Sequence, residues 1–507
     1  MKNQTKKMLK IGVISAMLFL SAFQYSSGFC GFYVAKAGAN VFNNKSEVIL
    51  VRDGIKTTIT MRNDFKGKLS RFAMVVPVPV VLKRTDIQIK ENSLFNNLDA
   101  YSAPRLVEYF DNNPCQNYAY SDKKDMIMLQ NMPINELAKA SPLAKKYKVV
   151  IEAQYSIDEY EIIILSAKES GGLEAWLNDN GYSVPQNAKE VLTPYIKDNM
   201  KFFAVKVNLE KAKQLADGYL RPIQISFESK KFMLPIRLGM ANAEKNTAQD
   251  LIIYAFTKNG RVESANYRTI EMPTARKIPT FLKADFNNFY KETFDRKYKF
   301  EGRNAVFLEY AWNVSPNWGI KCDPCVGNPP VVDDLINSGI NWLTPNQNFG
   351  VNPNNNVFFT RLHLRYDREN FPADLTFIET PNQTQYQVRQ IITNAANGEF
   401  DCEKGLGYLK DLKNRRLLEL QEMQALSGRM AKSYPFYVEL GSGKIQQIDI
   451  PQYEEEEEEL FPFGLPKNKP TFLLLPLLVL AVIALIWGAK FWVKLSMVSK
   501  PIEEDRV

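Results

Sequence analysis

Histidine is almost absent: the 507 residues contain one, His363. Imidazole is the side chain whose unperturbed pKa lies nearest neutrality, and it is the commonest metal ligand. Two-histidine zinc sites and facial-triad iron sites are therefore excluded, and a Ser-His-Asp enzyme would have to be built around His363 alone. Cysteine is scarce as well: Cys30, Cys115, Cys322, Cys325 and Cys402, an odd number that leaves at least one thiol out of any set of internal bridges. No large excess of one charge is present. Lys and Arg number 64 against 56 Asp and Glu, a net charge of +8 that does not select nucleic acid as a partner. With 45% hydrophobic and 12% aromatic residues the composition is globular, and the length asks for more than one small core.

What is present begins with two apolar runs. Lys2, Lys6, Lys7 and Lys10 precede 13 mostly apolar residues, 11–23, and then Ser26-Ser27-Gly28. A basic start, a short apolar stretch and small residues compose a secretory signal peptide, assigned to 1–28. Phe29 stands where a lipoprotein would carry a small residue before Cys30, so ordinary cleavage is preferred. At the other end, residues 472–489 are 18 positions without a charge, which reads as a transmembrane helix over 471–489. Trp487, Phe491 and Trp492 supply the interfacial aromatic belt. The implied layout is a single-pass cell-membrane protein. An exported body spans 29–433, a stalk over 434–470 carries six consecutive glutamates at 454–459, and a tail over 490–507 stays cytoplasmic.

Within the body, strands mix with short helices without regular βαβ alternation, so the fold class is α+β and β-rich. Residues 47–50 and 56–61 flank Arg52-Asp53-Gly54 as a hairpin. Ser102-Ala103-Pro104 suggests the start of a helix reaching Phe110. Leu173, Trp176 and Leu177 are spaced as one helix face, and a second helix covers 188–197. Residues 251–256 are expected to pair across Asn259-Gly260 with the stretch after Arg261. Further helices are read over 284–294, 331–336 and 406–426, with strands at 305–312 and 357–366. A division into two packed subdomains is placed near residue 270.

Several motifs carry a resemblance. Cys30-Gly31-Phe32-Tyr33-Val34, Phe72-Ala73-Met74-Val75-Val76-Pro77-Val78-Pro79 and Asp99-Ala100-Tyr101-Ser102-Ala103-Pro104-Arg105-Leu106 follow one another in order. Cys322-Asp323-Pro324-Cys325 and Thr360-Arg361-Leu362-His363-Leu364-Arg365-Tyr366 continue the series. Together they resemble a bacterial domain family of unknown function, number 2330, over roughly residues 29–430. The resemblance implies secreted or anchored envelope proteins, with no assigned activity and no catalytic residue to transfer.

The candidate sites follow from the residues themselves. Arg361, His363 and Arg365 alternate with Leu362, Leu364 and Tyr366, so on a strand the three basic groups share one face. That face is the candidate for an anionic ligand; the plainer alternative is a wet outer face, or pairing with Asp367 and Glu309. Exported cysteines default to disulfides, and Cys30 with Cys115 is the preferred pair because it would tie down the mature N-terminus. Cys322 and Cys325 staple a loop or form a redox pair; zinc there would need Cys402 and Cys115 as further ligands. No cofactor or metal is assigned. The functional expectation is a non-enzymatic binding or structural module, with an envelope protein or anion as partner. The alternatives are a thiol-disulfide oxidoreductase using Cys322 and Cys325, or a carboxylate-based hydrolase.

Overall fold

A computed structural model of the chain describes residues 32–33, 42–66, 73–116, 149–180, 188–212, 220–239, 248–316, 328–343, 353–430, 437–439 and 445–447. All belong to the first of two compact units, Met1–Ile450; the second is Pro451–Val507. The expected leader, span and tail lie outside the described residues, as do Cys30, Cys322 and Cys325. Among the described residues no helix is long and apolar enough to cross a membrane.

Along the chain run β1 (Phe32–Tyr33), β2 (Phe42–Asp53), β3 (Lys56–Lys66), β4 (Ala73–Val78), β5 (Ile87–Ile89), α1 (Ser93–Ser102) and β6 (Arg105–Phe110). Next come β7 (Val149–Ile157), β8 (Tyr160–Ala167), α2 (Ser170–Asp179), α3 (Ala188–Lys197), β9 (Lys201–Val207), β10 (Ile223–Glu228) and β11 (Met233–Leu234). They are followed by β12 (Gln249–Thr257), β13 (Val262–Ser264), β14 (Arg268–Glu271), β15 (Arg276–Lys277), α4 (Phe286–Phe300) and β16 (Ala305–Asn313). The series closes with α5 (Val332–Asn337), β17 (Phe358–Tyr366), β18 (Leu375–Glu379), β19 (Tyr386–Gln387), β20 (Arg389–Asn394), α6 (Glu403–Ser427), β21 (Tyr437–Glu439) and β22 (Ile445–Gln447). The fold is β-rich α+β, as expected.

Two sheets dominate. One has five strands in the order β1-β4-β9-β8-β7; the other has nine, β14-β16-β17-β12-β2-β3-β10-β5, with β19 paired to β16. Their facing sides share one core, in which Val48, Leu50, Ile59 and Leu364 of the larger sheet meet Met74, Val76, Ile162 and Phe203 of the smaller. The smaller sheet buries its other side, through Leu165 and Phe202, beneath Leu173, Trp176, Leu177 and Leu192 of α2 and α3. The larger sheet buries Ile49, Val51, Phe256 and Phe359 beneath α1 and α5, and Phe307 beneath Phe294 and Tyr298 of α4. The result is four layers: helices, sheet, sheet, helices. This layering explains the composition of β2. Residues 48–51 read Val-Ile-Leu-Val without alternation because both faces of that strand are covered. The β2–β3 turn is tight: Asp53 pairs with Lys56, and Gly54 takes φ +56°, which a residue bearing Cβ adopts only at a cost.

Four expectations need correction. The segment after Pro104 is strand β6, running parallel to β20, and the helix lies before it. Pro104 disfavours helical geometry in the residue that precedes it, so it ends α1 at an extended Ala103 instead of opening a helix. Strand β12 forms no hairpin with β13. Both of its edges are already taken, by β2 in parallel and β17 in antiparallel, and β13 pairs with β18. Residue 270 divides nothing, because strands from both sides of it share the nine-stranded sheet. The first part of the supposed stalk holds a small antiparallel pair, Tyr437–Glu439 with Ile445–Gln447.

Helix α5 is locked onto the larger sheet by its C-terminal end. The Gln224 side-chain amide donates to Thr60 Oγ1 at 2.8 Å and to the carbonyl of Asn337 at 3.0 Å. Gly339, at φ +103°, leaves no room for a side chain: a Cβ there would lie 2.5 Å from Thr58 Cγ2. Gly339→Ala should therefore cost about 2 kcal/mol or more. Gly407→Ala, in the open interior of α6 with nothing within 4 Å of the added carbon, should gain about 0.5–1 kcal/mol in helix propensity. Thermal unfolding of the two variants against the parent checks both signs.

Candidate functional site

Strand β16 reads Ala-Val-Phe-Leu-Glu-Tyr-Ala-Trp-Asn, apolar through its middle except for Glu309. Its register against β17 slips at that residue: Phe307 lies opposite His363, Leu308 opposite Leu362, and Tyr310 opposite Arg361. Glu309 is thus the extra residue of a β-bulge, a feature that re-aims side chains. Leu308 and Ala311 still point into the core between the sheets, whereas Phe307 and Tyr310 face the helices. Glu309 joins the helix-facing side, with none of its surface exposed.

The period-two reading of β17 holds. Leu362, Leu364 and Tyr366 lie in the core between the sheets, and Arg361, His363 and Arg365 share the opposite face. That face is covered rather than wet, by α1 at one end and α4 at the other. Arg361 donates through Nε to Glu309 Oε2 at 2.7 Å and through Nη1 to Asp99 Oδ1 on α1, also at 2.7 Å. Its guanidinium lies 5.3 Å from the centre of the Tyr254 ring. The Tyr254 hydroxyl in turn lies 3.0 Å from both Glu47 Oε1 and Asp99 Oδ1, which share its one proton. His363 Nδ1 meets Glu309 Oε1 at 2.9 Å, its Nε2 lies 3.6 Å from Asp250 Oδ1, and its ring stacks on Phe294 at 3.8 Å. The α4 residue Tyr290 donates its hydroxyl to Glu309 Oε1 at 2.6 Å. Arg365 grips Asp250 with two donors, at 2.8 and 3.1 Å, and reaches Asp295 of α4 at 2.9 Å.

The electrostatics follow from this crowding. Burial by itself would raise the Glu309 carboxyl, but the charges of His363 and Arg361 and the hydrogen bonds from His363 and Tyr290 bring it down to about 2. Burial opposes the charged form of His363 too, and Glu309 and Asp250 outweigh it, so its pKa is raised. Asp250 is held below the ordinary carboxylate range: burial again opposes, and His363 and Arg365 win. The arrangement is an ionic stripe that stitches α1 and α4 onto the sheet. The basic groups expected to meet an anionic ligand direct their donors to the chain's own carboxylates, and the alternative that paired them with Glu309 describes Arg361 and His363. Asp367 instead caps its own turn, accepting from the amides of Glu369 and Asn370. Asp99, Asp250, Tyr254 and Tyr290 were not singled out in the sequence. The one local signal was Glu309 itself, an acid amid an apolar strand.

The cysteine pairing also differs from expectation. Cys115 is bonded to Cys402, with Cα atoms 5.8 Å apart and 287 residues between them, and not to Cys30. Parallel pairing of β6 with β20 brings their following segments together, and the Asn113 amide donates to the carbonyls of Asn397 and Glu399 at 2.9 and 3.1 Å. That bridge removes Cys115 and Cys402 as supplementary zinc ligands for Cys322 and Cys325. Cys402 also starts α6, its sulfur accepting from the Gly405 amide at 3.3 Å. Among the described residues no group of three or more His, Cys, Asp or Glu side chains is placed to hold a metal ion.

Residues 24–378 match the family described as an uncharacterized protein conserved in bacteria, DUF2330. The chain belongs to that family. The matched stretch contains every member of the ionic stripe named above, and it ends before Cys402 and α6, short of residue 430 where the motif resemblance stopped. No curated protein matches the chain. The crystal structure of baculovirus P35 aligns with 45% of this chain and 76% of its own at 12% identity and a TM-score of 0.21, too slight a likeness to bear on the fold.

The stripe makes stability depend on pH in two directions. Folding raises the His363 pKa, so its contribution is complete below the unfolded value of about 6.5 and is lost as pH climbs through the native one. Glu309 and Asp250 are lowered, so theirs is present above about 4–4.5 and lost as pH falls through the native values. Thermal stability should fall as pH rises from about 6.5 toward 9. His363→Gln should lower stability at pH 6 and remove that alkaline decline. A parent curve that stays level across the same range, superimposable in slope on that of His363→Gln, would show that His363 is not held as a cation.

Proposed function

We propose that the chain is an exported module of the bacterial cell envelope, tethered by one C-terminal membrane helix. Its α+β body binds or supports other envelope components rather than transforming a substrate. The observation that carries this reading is the Cys115–Cys402 disulfide. Structural disulfides persist in oxidising compartments and are rare in the cytosol. A bridge closing a loop of 287 residues ties the start of the last long helix of the body to the segment after β6, which suits a protein that must survive outside the cell. The leader pattern over 1–28 and the uncharged run at 472–489 support the same topology from the sequence. The internal pairing of Arg361, His363 and Glu309 supports a structural use for the groups best suited to acid–base chemistry.

Protease treatment of cells, after removal of any outer membrane, should degrade the body and spare an epitope fused to the tail after residue 507. Alkylation of denatured, unreduced protein recovered from those cells should leave Cys115 and Cys402 unmodified. A body that stays intact while external markers are digested, or alkylation of both cysteines, would contradict export to an oxidising space.

A further inference from the structure

At one end of the two facing sheets, among the described residues, the edge of their shared core opens to solvent in a cleft of about 220 Å³. Pro77 and Pro79, at the exit of β4, form one wall; Phe227 of β10 and Met233 of β11 form the other. Ile59, a buried member of the core between the sheets, lies at the back, so the apolar interior continues into the cleft. The prolines keep this mouth open for a physical reason. Pro77 still faces Phe202 within the β4–β9 pairing, and Pro79, just past Val78, has no amide hydrogen with which to carry that pairing further. Outside Pro79 the exposed Val80 and Val81 prolong the apolar surface. The rim is cationic on balance. Lys231 is paired with Asp198 at 2.7 Å, and Lys230 has no carboxylate partner among the described residues.

We infer that this cleft is a binding site for a small amphipathic anion, an acyl or aryl body of about eight to ten carbons carrying one carboxylate or phosphate. The size follows from volume: an apolar cavity of about 150 Å³ takes up benzene, so this one has room for a ring and a short chain. The chemistry follows from the lining. Apolar walls on three sides gain from covering hydrocarbon, and one unneutralised ammonium at the mouth selects an anionic end over a neutral one. The head group belongs either to a soluble metabolite-sized acid or to a phospholipid whose chain end enters the cleft; the site reads the same features in both.

The test uses the full chain in nanodiscs of zwitterionic lipid, titrated with 4-phenylbutyrate and its neutral amide by isothermal titration calorimetry. Saturable binding of the carboxylate, about fivefold tighter than that of the amide, is expected. Lys230→Gln, at an exposed position that does not threaten folding, should erase that preference while leaving the amide unchanged. Met233→Trp should fill the cleft and abolish binding of both. If phosphatidylglycerol discs compete with 4-phenylbutyrate, the anion is a lipid head group; if they do not, it is a soluble acid. Absence of saturable binding to the parent, or binding that neither variant alters, would overturn the assignment.

Discussion

One carboxylate organises the helix-facing side of the larger sheet. Glu309 is placed there by a bulge, has no exposed surface, and is held by Arg361, His363 and Tyr290. Those three partners come from β17 and α4, and Arg361 extends the contact to α1 through Asp99. Losing this single group would leave a buried guanidinium and a buried imidazolium short of their counter-charge. Removing one partner of a buried pair typically costs about 3–5 kcal/mol, although replacing a whole pair by hydrocarbon is often neutral. The stripe is therefore better understood as a device that fixes where the helices sit than as a net source of stability. Apolar contacts alone tolerate sliding of a helix on a sheet; a carboxylate satisfied from three directions does not.

The two faces of the larger sheet divide the labour. The side toward the smaller sheet contributes a mainly apolar face to the shared core, and a cleft opens beside Pro77 and Pro79 at the end of β4. The side toward the helices mixes aromatic packing with ion pairs, with Phe294 stacked on His363 and Arg365 lying over both Phe294 and Tyr298. The ion pairs gather beneath α1 and α4, where Glu309 and Arg361 are buried while Asp99 and Asp295 stay partly exposed; the cleft is lined mainly by hydrocarbon, with Lys230, Lys231 and Asp198 among its polar residues. A disulfide, Cys115–Cys402, ties segments 287 residues apart.

Local pattern made much of this legible. Residues 173–177, 188–197 and 305–312 announced their elements through apolar runs or helical spacing, and period two placed Arg361, His363 and Arg365 on one face. What the sequence did not disclose was non-local. Nothing near β17 says that α4, which ends at Phe300, well upstream of Phe358, will roof it. Nothing near Asn259-Gly260 says that both edges of β12 are occupied, and a good turn dipeptide cannot form a hairpin without a free edge. Pro104 was misread for a more local reason, since proline marks a helix start when it follows the cap and a helix end when the helix lies upstream. The cysteine pairing depended on the parallel contact of β6 (Arg105–Phe110) with β20 (Arg389–Asn394), two strands far apart in the chain.

Native-state amide hydrogen exchange on Glu309→Gln tests the organising role of this carboxylate most directly. If Glu309 seats the helices, amides of α4 and α1 should lose protection by about a hundredfold or more, corresponding to about 3 kcal/mol of local opening, while β8 and β9 in the smaller sheet keep theirs. Equal loss throughout both sheets, or unchanged protection in α4 and α1, would contradict the account.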